Sequence, residues 1–127
     1  MGRKILVVED NELNRILLMD VLEYNGYEVI EAVNGAEGIE RAREHLPELL
    51  LLDIQMPVMD GFAVIGALKN DPIMGLKKII ALTSFAMRGD RERIMAAGFD
   101  GYLTKPIDTR KLPQLVREWL GEEGTAG

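Results

Sequence analysis

Residues 49–52 are four consecutive leucines, and they run directly into Asp53. A run this short, with no polar position alternating through it, predicts a strand covered on both faces, as in a parallel sheet. The chain continues Ile54-Gln55-Met56-Pro57-Val58-Met59-Asp60-Gly61, whose proline and glycine cannot extend that strand. Asp53 is therefore a carboxylate delivered to the end of a buried element, a costly placement unless something neutralises or uses the charge. Three other apolar runs end on groups that match it. Ile5-Leu6-Val7-Val8 ends in Glu9-Asp10, Ile79-Ile80-Ala81-Leu82 in Thr83-Ser84, and Tyr102-Leu103-Thr104 in Lys105-Pro106.

Between these runs lie longer segments of helical period, the alternation expected of βαβ units. Strands are predicted at about residues 4–8, 27–31, 49–53, 78–83 and 101–104. Asn11 can cap a helix over 12–25, with Gly26 stopping it. Asn34-Gly35 is a turn signal before a helix over 36–45, which Pro47 closes. A third helix is expected over 61–70, ended by Asp71-Pro72, and a fourth over 88–97, stopped by Gly98. Asp108 or Thr109 is expected to cap a last helix ending near Leu120-Gly121. The acidic, glycine-rich residues 122–127 read as a flexible tail. One domain over 1–121 accounts for the rest, a doubly wound α/β sheet with helices on both faces. In such sheets the ligand site lies at the carboxyl ends of the strands, which would gather Glu9, Asp10, Asp53, Thr83 and Lys105.

Composition limits the function classes. The formal charge of −6 argues against a nucleic-acid surface. The absence of cysteine excludes disulfides and thiolate metal sites. The apolar runs are too short to span a bilayer, and Met1-Gly2-Arg3-Lys4 leads into a strand rather than a secretory segment, so a cytoplasmic location is expected. Three carboxylates crowded at one sheet edge need a cation or protons. With no His or Cys among them they select Mg2+, with Mn2+ or Ca2+ as substitutes. Asp53 could then act as a nucleophile through a carboxylate oxygen, while Lys105 and the Thr83 hydroxyl hold phosphoryl oxygens.

The four strand ends together resemble the response-regulator receiver domain of two-component signalling, over residues 4–120, and in particular stand-alone receivers without an effector domain. The motifs are Val7-Val8-Glu9-Asp10-Asn11, residues 52–61, Ala81-Leu82-Thr83-Ser84 and Leu103-Thr104-Lys105-Pro106. The resemblance implies a flavodoxin-like, five-stranded parallel sheet of order 2-1-3-4-5. It implies Asp53 as phosphoacceptor, Asp10 as direct metal ligand, Glu9 as ligand through water, and the Gln55 backbone carbonyl as a further ligand. Thr83 and Lys105 would bind the phosphoryl group, Thr83 and Tyr102 would form the switch, and Lys105-Pro106 would be cis. Gln55, Ser84 and Phe85 would tune the dephosphorylation rate. The partners implied are a histidine kinase or histidine phosphotransfer protein and a downstream protein target, with no nucleic acid or membrane.

Other residues have plainer expectations. Asp60 reads as structural and Thr104 as a strand residue. Trp119, Tyr24 and Tyr27 read as packing residues, and His45 as non-catalytic. The apolar residues Ile16, Leu17, Leu18, Met19, Val21 and Leu22 cover more than one face of the first helix, which suits burial, docking of a kinase helix bundle, or both. A second candidate surface comprises the fourth helix, fifth strand and last helix, near Arg88, Asp90, Arg91 and Lys111. Competing functions are a receiver cut from a hybrid kinase or effector-linked regulator, and a Mg2+-dependent phosphatase with an aspartyl-phosphate intermediate. The phosphatases usually carry a second aspartate two residues after the nucleophile, where this chain has Gln55. A nucleotide-binding module would need a glycine-rich fingerprint that the chain lacks.

Overall fold

The computed structural model describes residues 3–72, 77–84 and 88–122. The elements are β1 (Lys4–Val8), α1 (Glu12–Tyr24), β2 (Glu28–Ala32), α2 (Gly35–His45), β3 (Leu49–Asp53), α3 (Gly61–Lys69), β4 (Lys78–Thr83), α4 (Arg88–Ala96), β5 (Gly101–Thr104) and α5 (Leu112–Trp119). The strands pair in parallel in the order β2-β1-β3-β4-β5. No helix among the described residues is long and apolar enough to cross a membrane.

The leucine run occupies the middle of this sheet, and all of β3 is buried. Successive side chains point to opposite faces. Leu50 and Leu52 join Leu6, Val8, Ile79 and Ala81 in one core layer, closed by Ala42 of α2, Val64, Ile65 and Leu68 of α3 and Ile94 of α4. Leu49 and Leu51 join Ile5, Val7, Ile80 and Leu82 in the other, closed by Leu18 and Leu22 of α1 and Leu112 and Val116 of α5. Each fully buried leucine contributes about 1.5–3 kcal/mol through the area it removes from water. Both faces of β3 are thus committed, which fixes its register and the position of Asp53 at its end.

Helix starts are set by short polar side chains. Asn11 accepts the Asn14 N–H at 2.9 Å, Asn34 the Glu37 N–H at 2.8 Å, and Asp60 the Ala63 N–H at 2.9 Å. Such caps are worth about 1 kcal/mol each. Asp60 has the structural role its sequence position suggests. Gly26, at φ 90°, and Gly98, at φ 106°, lie just past α1 and α4, where a left-handed residue ends a helix at least cost.

Three features differ from expectation. The helix α5 begins at Leu112 rather than beside Asp108 or Thr109, because the Asp108 carboxylate accepts the Arg110 N–H at 3.0 Å and holds a turn there instead. Glu122, expected to fray with the tail, accepts the Tyr27 hydroxyl at 3.0 Å and pairs with Arg3 at 3.1 Å. Arg3 also donates to the Leu120 carbonyl at 3.2 Å. Tyr24, expected to pack, is 91 % exposed. It stands two residues beyond Leu22, roughly 200° around the helix from the buried stripe. Tyr27 is half-buried, and burial followed by its bond to Glu122 raises its phenol pKa above the ordinary value.

Candidate functional site

The register of the sheet assembles the site. Val8 pairs with Leu52, so Glu9 and Asp53 leave neighbouring strands at the same level. Asp53 pairs with Leu82, and Thr83 with Thr104, placing Thr83 and Lys105 along the same edge. Glu9, Asp53 and Thr83 are buried, while Asp10 is exposed. Carboxylate oxygens of Glu9, Asp10 and Asp53 all lie within 4.8 Å of one another. The Lys105 Nζ reaches across the edge, 2.9 Å from Asp53 Oδ2 and 2.8 Å from Glu9 Oε1. The Lys105-Pro106 bond is cis, and the Lys105 N–H donates to the Thr83 carbonyl at 2.8 Å.

Main-chain groups orient the acids. Gln55 N–H donates to Asp53 Oδ1 at 2.9 Å, and Asn11 N–H to Glu9 Oε2 at 3.1 Å. Glu9 Oε1 has no aligned hydrogen bond, so its contact with Lys105 is one of charge alone. Burial raises the Glu9 pKa to about 7, reinforced by the nearby Asp53 carboxylate; Lys105 and the Asn11 N–H oppose the rise. Burial lowers the Lys105 pKa, but Glu9 and Asp53 outweigh that and raise it overall. A buried cluster of two acids and one base, with a third acid at its rim, favours a cation. The donor set is wholly oxygen and one buried oxygen lacks a hydrogen bond, so these residues fit Mg2+ or a similar hard cation.

The backbone around Asp53 is closely packed. A Cβ at Gly61 would lie 2.6 Å from Ile54 Cα and 2.8 Å from the Asp53 carbonyl oxygen. Glycine is required there because α3 starts against the strand end that carries Asp53. Val58, in the same loop, has φ 68° and its side chain is fully exposed. A β-branched residue is strained in that conformation.

The structure thus gathers Glu9, Asp10, Asp53, Thr83 and Lys105, with Gln55 beside them. Tyr102 is half-buried and packed against the core layer that holds Ala81 and Ile94. Phe85 lies outside the described residues. Sequence reasoning missed Arg15, whose Nη1 donates to the Glu9 carbonyl at 3.0 Å while its Nε bonds Glu31 at 2.9 Å. Its place one turn beyond the Asn11 cap was the available signal. It also missed the bond from Ser84 N–H to Gln55 Oε1, at 2.7 Å, which joins residues 29 apart. Around the site, α1 is divided. Leu18 and Leu22 are buried, while Leu13, Ile16 and Leu17 are exposed and form an apolar surface.

Comparison with known proteins agrees with this geometry. The family model for the response regulator receiver domain matches residues 5–117. The polar-differentiation response regulator DivK of Brucella anthropi is 43 % identical over 122 residues, covering 96 % of this chain and 99 % of that protein. Among solved structures, the receiver domain of the sensor histidine kinase PA1611 from Pseudomonas aeruginosa, with a magnesium ion coordinated in its active-site cleft, superposes with TM-score 0.88. It is 32 % identical, with 95 % of this chain and 99 % of that one covered. The receiver domain of Saccharomyces cerevisiae Ssk1, co-crystallised with the histidine phosphotransfer protein Ypd1, is similar at TM-score 0.86 and 26 % identity, covering 93 % of this chain and 88 % of that one. With an acidic edge at the carboxyl ends of a 2-1-3-4-5 sheet and a family match across nearly its whole length, this chain belongs to the response-regulator receiver family of two-component signalling.

Proposed function

We propose that this chain is a phosphorylation-dependent switch whose phosphoacceptor is Asp53. The observation that carries the proposal is the Asp53 carboxylate held 2.9 Å from Lys105 Nζ, with Glu9 and Asp10 oxygens within 4.8 Å. Asp53 attacks the phosphorus of a phosphohistidine on a partner kinase or phosphotransfer protein. The new O–P bond forms on Asp53, the P–N bond breaks, and the imidazole leaves with the electron pair and takes a proton from water. Gln55 N–H fixes one oxygen of the nucleophile, and Lys105 follows the other onto the phosphoryl group. Glu9, Asp10, Asp53 and the Gln55 carbonyl would hold Mg2+, which supplies neutralisation of phosphoryl charge.

Thr83 then draws toward the added oxygens and Tyr102 repacks, shifting an existing two-state equilibrium and changing what the α4–β5–α5 face binds. The chain acts in the cytoplasm and catalyses only its own phosphorylation and dephosphorylation. The exposed Leu13, Ile16 and Leu17, on the helix that follows Glu9-Asp10, suit docking of the phosphodonor's helices. A stand-alone role is supported by the match to DivK over 99 % of that protein. The PA1611 relative, a receiver within a sensor kinase, keeps a hybrid-kinase origin as the second reading. The complete coding region decides between them.

The test is intact mass after incubation with Mg2+ and acetyl phosphate, beside Asp53→Asn. One metal-dependent phosphoryl adduct is expected on the wild-type protein and none on the variant. An equal adduct on Asp53→Asn would sink the assignment.

A further inference from the structure

We infer that Gln55 is a mask on the phosphoryl site: its side-chain carbonyl occupies the Ser84 N–H, a donor that a phosphoryl group on Asp53 would otherwise take. The inference rests on the phospho-switch proposal and names how that site is held in check. In the sheet, Asp53 is level with Leu82. Two residues further along each chain, Gln55 and Ser84 are therefore level as well, on the two loops that flank the nucleophile. The main chain of Gln55 already serves Asp53, donating to Oδ1 at 2.9 Å. Its side chain turns to the facing loop, where Oε1 accepts the Ser84 N–H at 2.7 Å.

Ser84 is the first residue past β4 and directly follows buried Thr83. Its N–H makes no strand pairing, and a main-chain N–H at a strand end beside a nucleophile is a donor suited to an anion. A phosphoryl group brings three strong acceptor oxygens to Asp53. A bond from an amide to such an oxygen is charge-assisted and roughly twice as strong as one to a neutral carbonyl. The phosphoryl oxygen therefore displaces Gln55 Oε1, but each charging event must first break the resting bond. Gln55 in this way lowers the affinity of the site for a phosphoryl group by about the worth of one neutral hydrogen bond, a factor of roughly two to ten.

The experiment compares wild type with Gln55→Leu, which removes the acceptor at similar size, and Gln55→Glu, which keeps one. Exchange of the Ser84 amide with solvent is measured by NMR in metal-free protein. Affinity for beryllium trifluoride with Mg2+ is measured by calorimetry. Gln55→Leu is expected to speed Ser84 exchange by about threefold or more and to tighten beryllium trifluoride by roughly two- to tenfold. Gln55→Glu is expected to keep Ser84 protected and to bind no tighter than wild type. Unchanged Ser84 exchange in Gln55→Leu overturns the mask. Faster exchange without tighter binding overturns its role at the phosphoryl site. A wild-type protein that binds no beryllium trifluoride overturns the phospho-switch itself and this inference with it, a result distinct from the other two.

Discussion

Replacing Glu9 by glutamine should make the metal-free protein more stable, and only at neutral to alkaline pH. Glu9 is fully buried, and its pKa is raised from 4.5 to about 7, chiefly by burial and next by the nearby Asp53 carboxylate. A folded-state pKa above the unfolded one means that the folded protein binds this proton more tightly. Its contribution to stability is complete below pH 4.5 and is lost as pH rises through about 7. The interval between the two values corresponds to about 3 kcal/mol. Glutamine never ionises, so it avoids that loss. Its amide oxygen can still accept the Asn11 N–H, and Lys105 still has Asp53. The pull of Lys105 on ionised Glu9 is already contained in the pKa of about 7 and is not subtracted again. A net gain of about 3 kcal/mol is expected above pH 8, falling to nothing near pH 4.5. Urea unfolding followed by circular dichroism, in EDTA and across this pH range, reads it directly. The midpoint should rise by roughly 1–2 M at pH 8.5 with the slope unchanged. Added Mg2+ should close the gap by stabilising the wild-type protein selectively. A variant less stable than wild type at pH 8.5, or equally stabilised at pH 4.5, would refute the reasoning that an unmatched buried charge is what costs stability here.

Three further outcomes follow from particular contacts. Gly61→Ala forces a Cβ to within 2.6 Å of Ile54 Cα; it should cost about 1–3 kcal/mol and slow adduct formation on Asp53, both measurable on one preparation. Val58→Gly relieves a left-handed β-branched residue and should raise the melting temperature by a few degrees, a net gain of about 1 kcal/mol once the looser unfolded chain is counted; a lower melting temperature would contradict it. Tyr27→Phe and Glu122→Ala should each cost about 1 kcal/mol or more in urea unfolding and be strongly non-additive, because both remove the same 3.0 Å bond; additive losses would mean that the bond is not formed.

The parts of the structure that could be read from the sequence are those enforced by strong local signals. Leu49–Leu52 could only be a strand buried on both faces, and Asn11, Asn34 and Asp60 each sat before a helical period. The set Glu9, Asp10, Asp53, Thr83 and Lys105 was legible because each closes an apolar run, although only a sheet with all strands parallel brings the five together. Strand order came from family resemblance, since periodicity does not say which strand neighbours which. The start of α5 was misplaced because Asp108 can satisfy either a helix or a preceding turn, and only tertiary packing decides. Left-handed backbone at Leu46 and Val58 leaves no trace in residue type, because both residues disfavour it. The Gln55–Ser84 and Tyr27–Glu122 bonds join distant segments and were invisible for the same reason as strand order.

The Arg3–Tyr27–Glu122 cluster sits where β1 and β2 begin, whereas Asp53 sits where β3 ends. A five-residue strand at about 3.3 Å per residue separates the two rims by roughly 15–20 Å. A fluorophore or surface tether attached at Glu28, exposed where β2 begins, would therefore start from the floor of the sheet and leave the acidic mouth facing solution. Immobilised through that point, the protein presents Asp53, Lys105 and the exposed leucines of α1 to an arriving partner, an orientation suited to measuring phosphodonor docking on a chip.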